Sequence, residues 1–216
     1  MHVHRDDLLE GGTKRRALGL LLQGVSSRDV FYAGTVMGHG ALALAHACRE
    51  HGKTAHIYIC GDSGHPMMHK LRHAGALLHV QPPTTTANLH TLCTNDAHGG
   101  TVFPPGFDMP EFEGALASAC CDIPLPAFSE VWTTAVTGTL TRALQKVWPD
   151  KPFKTVKVVK SPCDLGHAEI FTAPEKYHQP ARVPPPYPSC PYTDAKLWQF
   201  AKDRAAPDSL IWNTAG

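Results

Sequence analysis

Short apolar runs alternate with stretches of helical periodicity along this chain, and this alternation constrains the fold more than any other feature. Short, nearly all-apolar runs are typical of strands that helices cover on both faces. The predicted strands are residues 30–34, 55–60, 77–81, 131–136, 155–160 and 209–213. The predicted helices are residues 40–51, 66–74, 110–121, 139–147 and 192–203. The sequence therefore predicts an α/β fold with mainly parallel sheets.

The composition excludes several classes of function. The chain has 216 residues, of which 43% are hydrophobic and 18% charged, so it is long enough for a sizeable core and too apolar for disorder. A formal net charge of +1 without a long basic block gives no electrostatic basis for nucleic-acid binding. A membrane span is not expected, since no apolar run reaches the required length of about 18 residues. The first residues do not resemble a signal peptide.

The cysteines and histidines give no sign of a disulfide framework or a metal centre. Seven cysteines at irregular spacings indicate reduced thiols and predict a cytoplasmic protein. No Cys-x-x-Cys pair is present, so structural zinc is not expected. His65, His69 and His73 would share one face of a helix, but no carboxylate or cysteine accompanies them. No metal site is predicted.

Two segments are predicted to be irregular. Residues 180–191 contain six prolines and are predicted to form an extended connector, because proline suits neither a helix interior nor a central strand. Residues 82–86 form a second predicted loop. Neither segment resembles a linker between independent domains.

The first candidate site is a lysine that follows two glycines near the amino terminus. A short polar strand ends at Gly11 and Gly12, and Lys14 opens a run with helical periodicity. This arrangement directs one amine into the cleft at the strand ends. An enclosed amine is the group that forms a Schiff base with a carbonyl cofactor. The plain alternative is a solvated lysine in the first turn of a helix.

Other strand ends are candidate ligand sites, because free amides of helix N-termini collect at one edge of a parallel sheet. Residues 33–43 run from a strand through a Gly-x-Gly turn into an alanine-rich helix, where small residues let a flat ligand approach. The carboxyl-terminal strand, within residues 210–216, ends in small polar residues, which points to Thr214 as a site residue. A packed turn is the alternative for the first of these segments.

A third strand end, within residues 135–140, suits a phosphate group. Thr137, Gly138 and Thr139 stand at the predicted helix start, where backbone amides and hydroxyls can hold an anion. An ordinary threonine cap is the alternative reading. The segment lacks the spacing of a Walker loop.

Together these segments resemble the fold-type II pyridoxal-phosphate (PLP) enzymes of the tryptophan synthase β-like superfamily. The nearest branch contains aminocyclopropane-carboxylate (ACC) deaminase and D-cysteine desulfhydrase. RDD and GGTKRR in this chain resemble the family's KRDD…GGNKxRK lysine segment, and AVTGT resembles its GSGGT phosphate loop. PYTDAK and the terminal NTAG resemble the family's DPVYxGK and HTGG segments. The matches keep the family's order nearly from end to end.

The resemblance implies an architecture and a set of roles. Two small α/β lobes would enclose the cofactor cleft, the larger built from residues 1–14 and 123–216 and the smaller from residues 15–122. Lys14 would bind PLP covalently and move the substrate α-proton. Tyr192 would contact the substrate as an acid/base partner, with packing beside the proline-rich segment as its alternative.

The remaining implied roles concern the two ends of the cofactor. Thr214 would form a hydrogen bond with the pyridine nitrogen, and a neutral hydroxyl there suits elimination better than transamination. The phosphate would be anchored by Thr137, Gly138 and Thr139.

The chain departs from the family pattern on the cleft wall and in its length. Where the family has Ser-Asn-His, this chain has Met37, Gly38 and His39. Gly38 keeps the position facing the cofactor but lacks the asparagine side chain, and His39 is the titratable group left to act as an acid or base. Ala135 and Val136 replace the expected glycine and serine of the phosphate loop. The chain is also shorter than typical members, so opening of a cyclopropane ring is not carried over.

The expected function is therefore that of a PLP-dependent lyase or deaminase. It would remove the α-proton of a small amino acid, eliminate a β-group, and release ammonia and a keto acid. A homodimer is the expected assembly. Two alternatives stay open: a non-catalytic PLP-binding homologue, and an α/β module that binds another phosphorylated ligand or a partner protein.

Overall fold

A computed structural model describes residues 1–215 of the chain, and within them it forms nine strands and seven α-helices. The strands are β1 His2–Arg5, β2 Asp29–Thr35, β3 Thr54–Cys60, β4 Leu77–Gln81, β5 Thr101–Phe103, β6 Val131–Ala135, β7 Phe153–Lys157, β8 Glu169–Thr172 and β9 Leu210–Asn213. The helices are α1 Thr13–Gln23, α2 Gly40–Glu50, α3 Pro66–His73, α4 Thr86–Asp96, α5 Pro110–Cys121, α6 Thr139–Val147 and α7 Trp198–Arg204. Short 3-10 turns cover Asp6–Leu8, Pro105–Phe107 and Asp194–Leu197.

The strands form two separate sheets. One sheet has five strands in the order β1-β9-β6-β7-β8, and the other has four in the order β4-β3-β2-β5. Every recorded strand pair in the described chain is parallel. The predicted α/β class with mainly parallel sheets is therefore confirmed. The predicted lobe boundaries remain a prediction.

A continuous apolar core joins the two sheets through α1, α2, α5 and α6. It contains Val30 and Ile57 of the four-stranded sheet, Val131 and Leu210 of the five-stranded sheet, and Phe112 of α5. Helix α3 also packs on this core, whereas smaller clusters hold α7 on the five-stranded sheet and α4 on the four-stranded one. Both sheets are thus buried, which explains the nearly all-apolar strands.

The sequence missed one helix and misplaced the start of another. Helix α4 begins inside the predicted loop at 82–86, where the hydroxyl of Thr85 accepts a hydrogen bond from the Asn88 amide at 3.1 Å. Only Leu89 and Cys93 of α4 are buried, so its sequence carries a weak apolar stripe. In place of the predicted helix 192–203, a 3-10 turn at Asp194–Leu197 precedes α7.

The strand predictions differ from the structure mainly at sheet edges. Strands β5 and β8 were not predicted, because β5 has three residues and β8 is an edge strand with mostly exposed side chains. The predicted strand 155–160 instead begins at Phe153, where its pairing with Val131 starts. Long-range pairing sets this boundary, and local composition does not encode it.

None of the described helices is both long and apolar enough to cross a membrane.

His65 caps α3, with its Nδ1 accepting a hydrogen bond from the Met67 amide at 3.1 Å. Among residues 1–215, no group of three or more His, Cys, Asp or Glu side chains is arranged to hold a metal ion.

The two glycines before Lys14 pack against the backbone of distant elements. A Cβ atom added to Gly11 would lie 2.6 Å from the Cα of Ala43 in α2. A Cβ added to Gly12 would lie 2.1 Å from the carbonyl oxygen of Thr214, just after β9. Both glycines also have positive φ, at 89° and 70°. The close approach and the backbone conformation both require glycine, and they position the start of α1.

We predict that Gly12→Ala lowers the free energy of unfolding by roughly 3 kcal/mol or more, because it combines left-handed strain with a backbone clash. Gly52→Ala is the matched control: its φ is 65°, but an added Cβ would meet nothing within 4 Å. That control should cost only about 1 kcal/mol. Urea denaturation measures both variants, and equal losses would show that the contact with Thr214 is unimportant.

Candidate active site

A cavity of about 210 Å³ lies at the carboxyl ends of strands from both sheets. Its walls come from the ends of β2, β6 and β9 and from the starts of α1, α2 and α6. Threonine and tyrosine hydroxyls supply most of its polar side chains. This is the edge of a parallel α/β sheet at which ligands bind.

Seven of the eight residues predicted from the sequence line this cavity: Lys14, Gly38, His39, Thr137, Gly138, Thr139 and Thr214. The eighth, Tyr192, is partly buried and is not among the lining residues, although its neighbour Thr193 is. Gly216, the last residue of the predicted terminal segment, lies outside the described residues. The roles assigned to these residues remain predictions.

Lys14 stands at the first turn of α1, which is held against the last strand. The amide of Thr13 donates to the Thr214 carbonyl at 3.1 Å, and the indole of Trp212 donates to the Thr13 hydroxyl at 2.9 Å. Burial lowers the pKa of the Lys14 amine from its usual 10.5, and the negative charge of Asp194 partly opposes this effect. A larger neutral fraction makes this amine a better nucleophile and base at neutral pH.

Asp194 is a buried carboxylate beside the cavity that the sequence analysis did not single out. One oxygen accepts hydrogen bonds from the Thr134 hydroxyl at 2.9 Å and the Thr214 amide at 3.3 Å. The other accepts from the hydroxyls of Thr193 at 2.9 Å and Thr214 at 2.6 Å. Four hydrogen bonds thus hold the Asp194 carboxylate, and one of them uses the hydroxyl proton of Thr214. Asp194 lies inside the PYTDAK segment, and this position could have identified it as a candidate site residue.

The loop before α6 has the shape expected of an anion site. Gly138 adopts a left-handed conformation, with φ at 88°, and an added Cβ would lie 2.0 Å from the carbonyl oxygen of Asp164. The hydroxyls of Thr137 and Thr139 lie 2.9 Å apart at the N-terminus of α6. Hydroxyls and helix amides therefore converge on the cavity at this point.

The opposite wall is the turn that leads from β2 into α2. Its geometry is set by backbone contacts, including a hydrogen bond from the Gly38 amide to the Thr35 carbonyl at 3.2 Å. His39 is the N-cap residue of α2, and its carbonyl accepts from the Ala43 amide at 2.9 Å. A Cβ added to Gly40 would lie 2.8 Å from the phenol oxygen of Tyr32. Glycine is needed here because an aromatic side chain fills the space.

Tyr177 lines the cavity and was also missed by the sequence analysis. Burial raises the pKa of its phenol, although a hydrogen bond with the Thr35 side chain lowers it in part. The buried ammonium of Lys196 donates to the carbonyls of Lys176 at 2.9 Å and Tyr177 at 3.5 Å, which fixes this irregular segment. The segment around Tyr177 has no helical or strand periodicity, so the sequence did not predict that it reaches the cavity.

Solved structures share this architecture. An ACC deaminase homologue matches with a TM-score of 0.79 and 15% identity, over 99% of this chain and 83% of its own. Maize serine racemase matches with a TM-score of 0.70 and 10% identity, over 99% and 82% of the two chains. A fungal L-serine ammonia-lyase from Rhizomucor miehei matches with a TM-score of 0.68 and 11% identity, over 99% and 87%. No family model matches the sequence, and no curated protein does.

These structural neighbours are fold-type II PLP enzymes, and the chain has their fold. The resemblance drawn from the sequence motifs is thereby confirmed at the level of the fold. The residues around the cavity also fit the cofactor. The Lys14 amine has a lowered pKa, and Thr137, Gly138, Thr139 and Thr214 line the same cavity.

The lowered pKa of Lys14 predicts its reactivity toward an amine-acylating reagent. Because only the neutral amine reacts, labelling of Lys14 should reach half its maximal rate below pH 10.5. Asp194→Asn should shift this midpoint lower still, since the Asp194 charge raises the pKa of Lys14. Peptide mapping by mass spectrometry reads the pH profile, with the exposed Lys160 as internal reference. A Lys14 profile that coincides with the reference would contradict the prediction.

Proposed function

We propose that this protein is a PLP-dependent lyase or deaminase that acts on a small neutral amino acid. The observation that carries the proposal is the placement of the Lys14 amine, the 137–139 loop and Thr214 around one cavity in a fold-type II fold. The reaction removes the substrate α-proton and expels a β-substituent. Water then supplies the keto oxygen, and ammonia is released.

Each residue has a defined task in this proposal. PLP, when bound, supplies an electron-withdrawing ring that stabilises negative charge at the substrate α-carbon. Lys14 holds the cofactor and accepts the α-proton, which its lowered pKa favours. The amides and hydroxyls of Thr137, Gly138 and Thr139 hold the phosphate. Gly38 contributes backbone to the cofactor-facing wall, and His39 is the acid/base candidate on that wall.

Asp194 changes what Thr214 can do at the pyridine nitrogen. Since the Thr214 hydroxyl donates to Asp194 at 2.6 Å, its oxygen is left to accept a hydrogen bond. We propose that it accepts one from a protonated ring nitrogen. The neutral hydroxyl is thus backed by a buried carboxylate, and we propose that this makes the ring more electron-withdrawing than a hydroxyl alone would.

The cavity lining argues for a substrate with an uncharged side chain. Among the described lining residues there is no aspartate or glutamate, and Lys14 and His39 are the basic side chains. Phe112, Leu116 and Leu140 supply apolar contact area. A charged substrate side chain would lose its hydration without gaining a partner beyond the two groups that the chemistry itself uses.

The first test is an absorbance spectrum of the purified protein with PLP. We expect a visible band that borohydride converts to a stable covalent adduct on Lys14, located by peptide mapping. Lys14→Ala should lose both the band and the adduct. Lys160→Ala is the matched control, because Lys160 is exposed and should leave both intact.

Other outcomes separate the alternatives. A band without turnover on a panel of D- and L-amino acids would favour a non-catalytic PLP-binding protein. Stabilisation of the protein by phosphate or a nucleotide, with no band from PLP, would favour another phosphorylated ligand. Either result would overturn the proposed enzyme.

Two tyrosines compete for the role of acid/base partner in substrate turnover. Tyr192 was predicted from the sequence, whereas the phenol of Tyr177 lines the cavity. We predict that Tyr177→Phe lowers kcat at least about a hundredfold, the usual contribution of a positioned acid or base. Tyr192→Phe should change kcat less, and the PLP band should persist in both variants. A larger loss in Tyr192→Phe would restore the original assignment.

A further inference from the structure

Arg142 lies just behind the proposed phosphate loop and joins it to three other segments. Its Nη1 donates to the carbonyls of Asp164 at 2.7 Å and Thr137 at 3.3 Å. Its Nη2 forms an ion pair with Asp108, and its Nε donates to Glu113 at 2.7 Å. Four of the five N–H donors of the guanidinium are therefore engaged, and Arg142 is not among the cavity-lining residues.

Asp108 places a carboxylate against one of the phosphate ligands. The hydroxyl of Thr139 donates to an oxygen of Asp108 at 3.2 Å, and the same oxygen pairs with Arg142. A negative charge at this position opposes a phosphate on the loop and competes with it for the Thr139 proton. Arg142 is the cation that pairs with this carboxylate.

The rest of the cluster is balanced by Lys146. Its ammonium lies 2.7 Å from Glu113, so two cations face two carboxylates. Burial acts to raise the pKa of Glu113, but hydrogen bonds from Lys146 and Arg142 bring it below its usual value, which keeps this acid charged. The side chain of Arg142 is 17% exposed and that of Asp108 44% exposed. Glu113 is the more buried of the two carboxylates that bind Arg142.

We propose that Arg142 is a positioning residue for phosphate binding: it holds the Thr137–Gly138 backbone and offsets the Asp108 charge beside Thr139. This inference rests on the proposed PLP site and extends it to a residue that does not touch the cofactor. The ligand class is a phosphate monoester or inorganic phosphate.

A double-mutant cycle tests the proposal with inorganic phosphate and PLP as separate probes. Arg142→Gln should weaken binding of both about tenfold, the effect of losing one charge-assisted interaction. Adding Asp108→Asn to that variant should bring affinity back to within about threefold of wild type, because the uncompensated carboxylate is gone. Thermal shift with phosphate and absorbance titration with PLP give the affinities without any turnover assay.

Controls separate this charge effect from a folding defect. Arg28→Gln removes the same charge at an exposed position ahead of β2 and should bind both probes as wild type does. If Arg142→Gln does not fold, Asp108→Asn alone decides: tighter phosphate binding by about threefold supports the proposal, and weaker binding overturns it.

The possible failures are distinguishable. Wild-type protein that binds neither phosphate nor PLP would overturn the proposed function together with this inference. Wild-type protein that binds both, with Arg142→Gln unchanged or without recovery in the double variant, would overturn only the role of Arg142.

Discussion

The pairing of the first strand with the last is the contact on which the site depends. His2–Arg5 lies parallel to Leu210–Asn213, so residues more than two hundred positions apart become neighbours. The chain then turns through two glycines that tolerate no side chain, one of them against the Thr214 carbonyl. Lys14 and Thr214 face the same cavity for this reason. A small displacement of the glycine turn would move the Lys14 amine away from Thr214.

The electrostatics of the cleft depend on which groups line it: hydroxyl groups line the cavity, whereas the nearby carboxylates of Asp194 and Asp108 are not among the lining residues. The cavity is lined by neutral oxygens, with Lys14 and His39 as its basic side chains. The acids are held one layer back: Asp194 by three hydroxyls and an amide, and Asp108 by Arg142. Burial of the Lys14 amine lowers its pKa, while the nearby Asp194 limits the shift. Burial and Asp194 thus set the pKa of the Lys14 amine between them, and a lowered pKa is what a nucleophilic lysine requires.

The sequence predicted those parts of the site that are encoded locally. Lys14 follows its two glycines within a few positions, and Thr137–Thr139 form one continuous loop, so short motifs located both segments. The roles of these residues were implied only by the family resemblance. Tyr177 lies in an irregular segment. Asp194 lies within the predicted helix 192–203, but its bonds to Thr134 and Thr214, which are far away in the sequence, could not be predicted from that helix. The fold shows the same division. Buried strands were found, whereas short or exposed edge strands and the weakly amphipathic α4 were not, because tertiary pairing decides them.

The chain shares its fold with structural neighbours at only 10–15% identity. Gly11, Gly12 and Gly138 cannot carry a side chain, because an added Cβ would lie within 3 Å of a backbone atom of another segment. An added Cβ at Gly38 would make only ordinary contacts. Met37 and Gly38 stand where the family resemblance implies serine and asparagine, whereas His39 matches the implied histidine. Gly38, His39 and Tyr177 line this side of the cavity. Under the proposed function, we therefore expect the substrate specificity of this chain to differ from that of its structural neighbours.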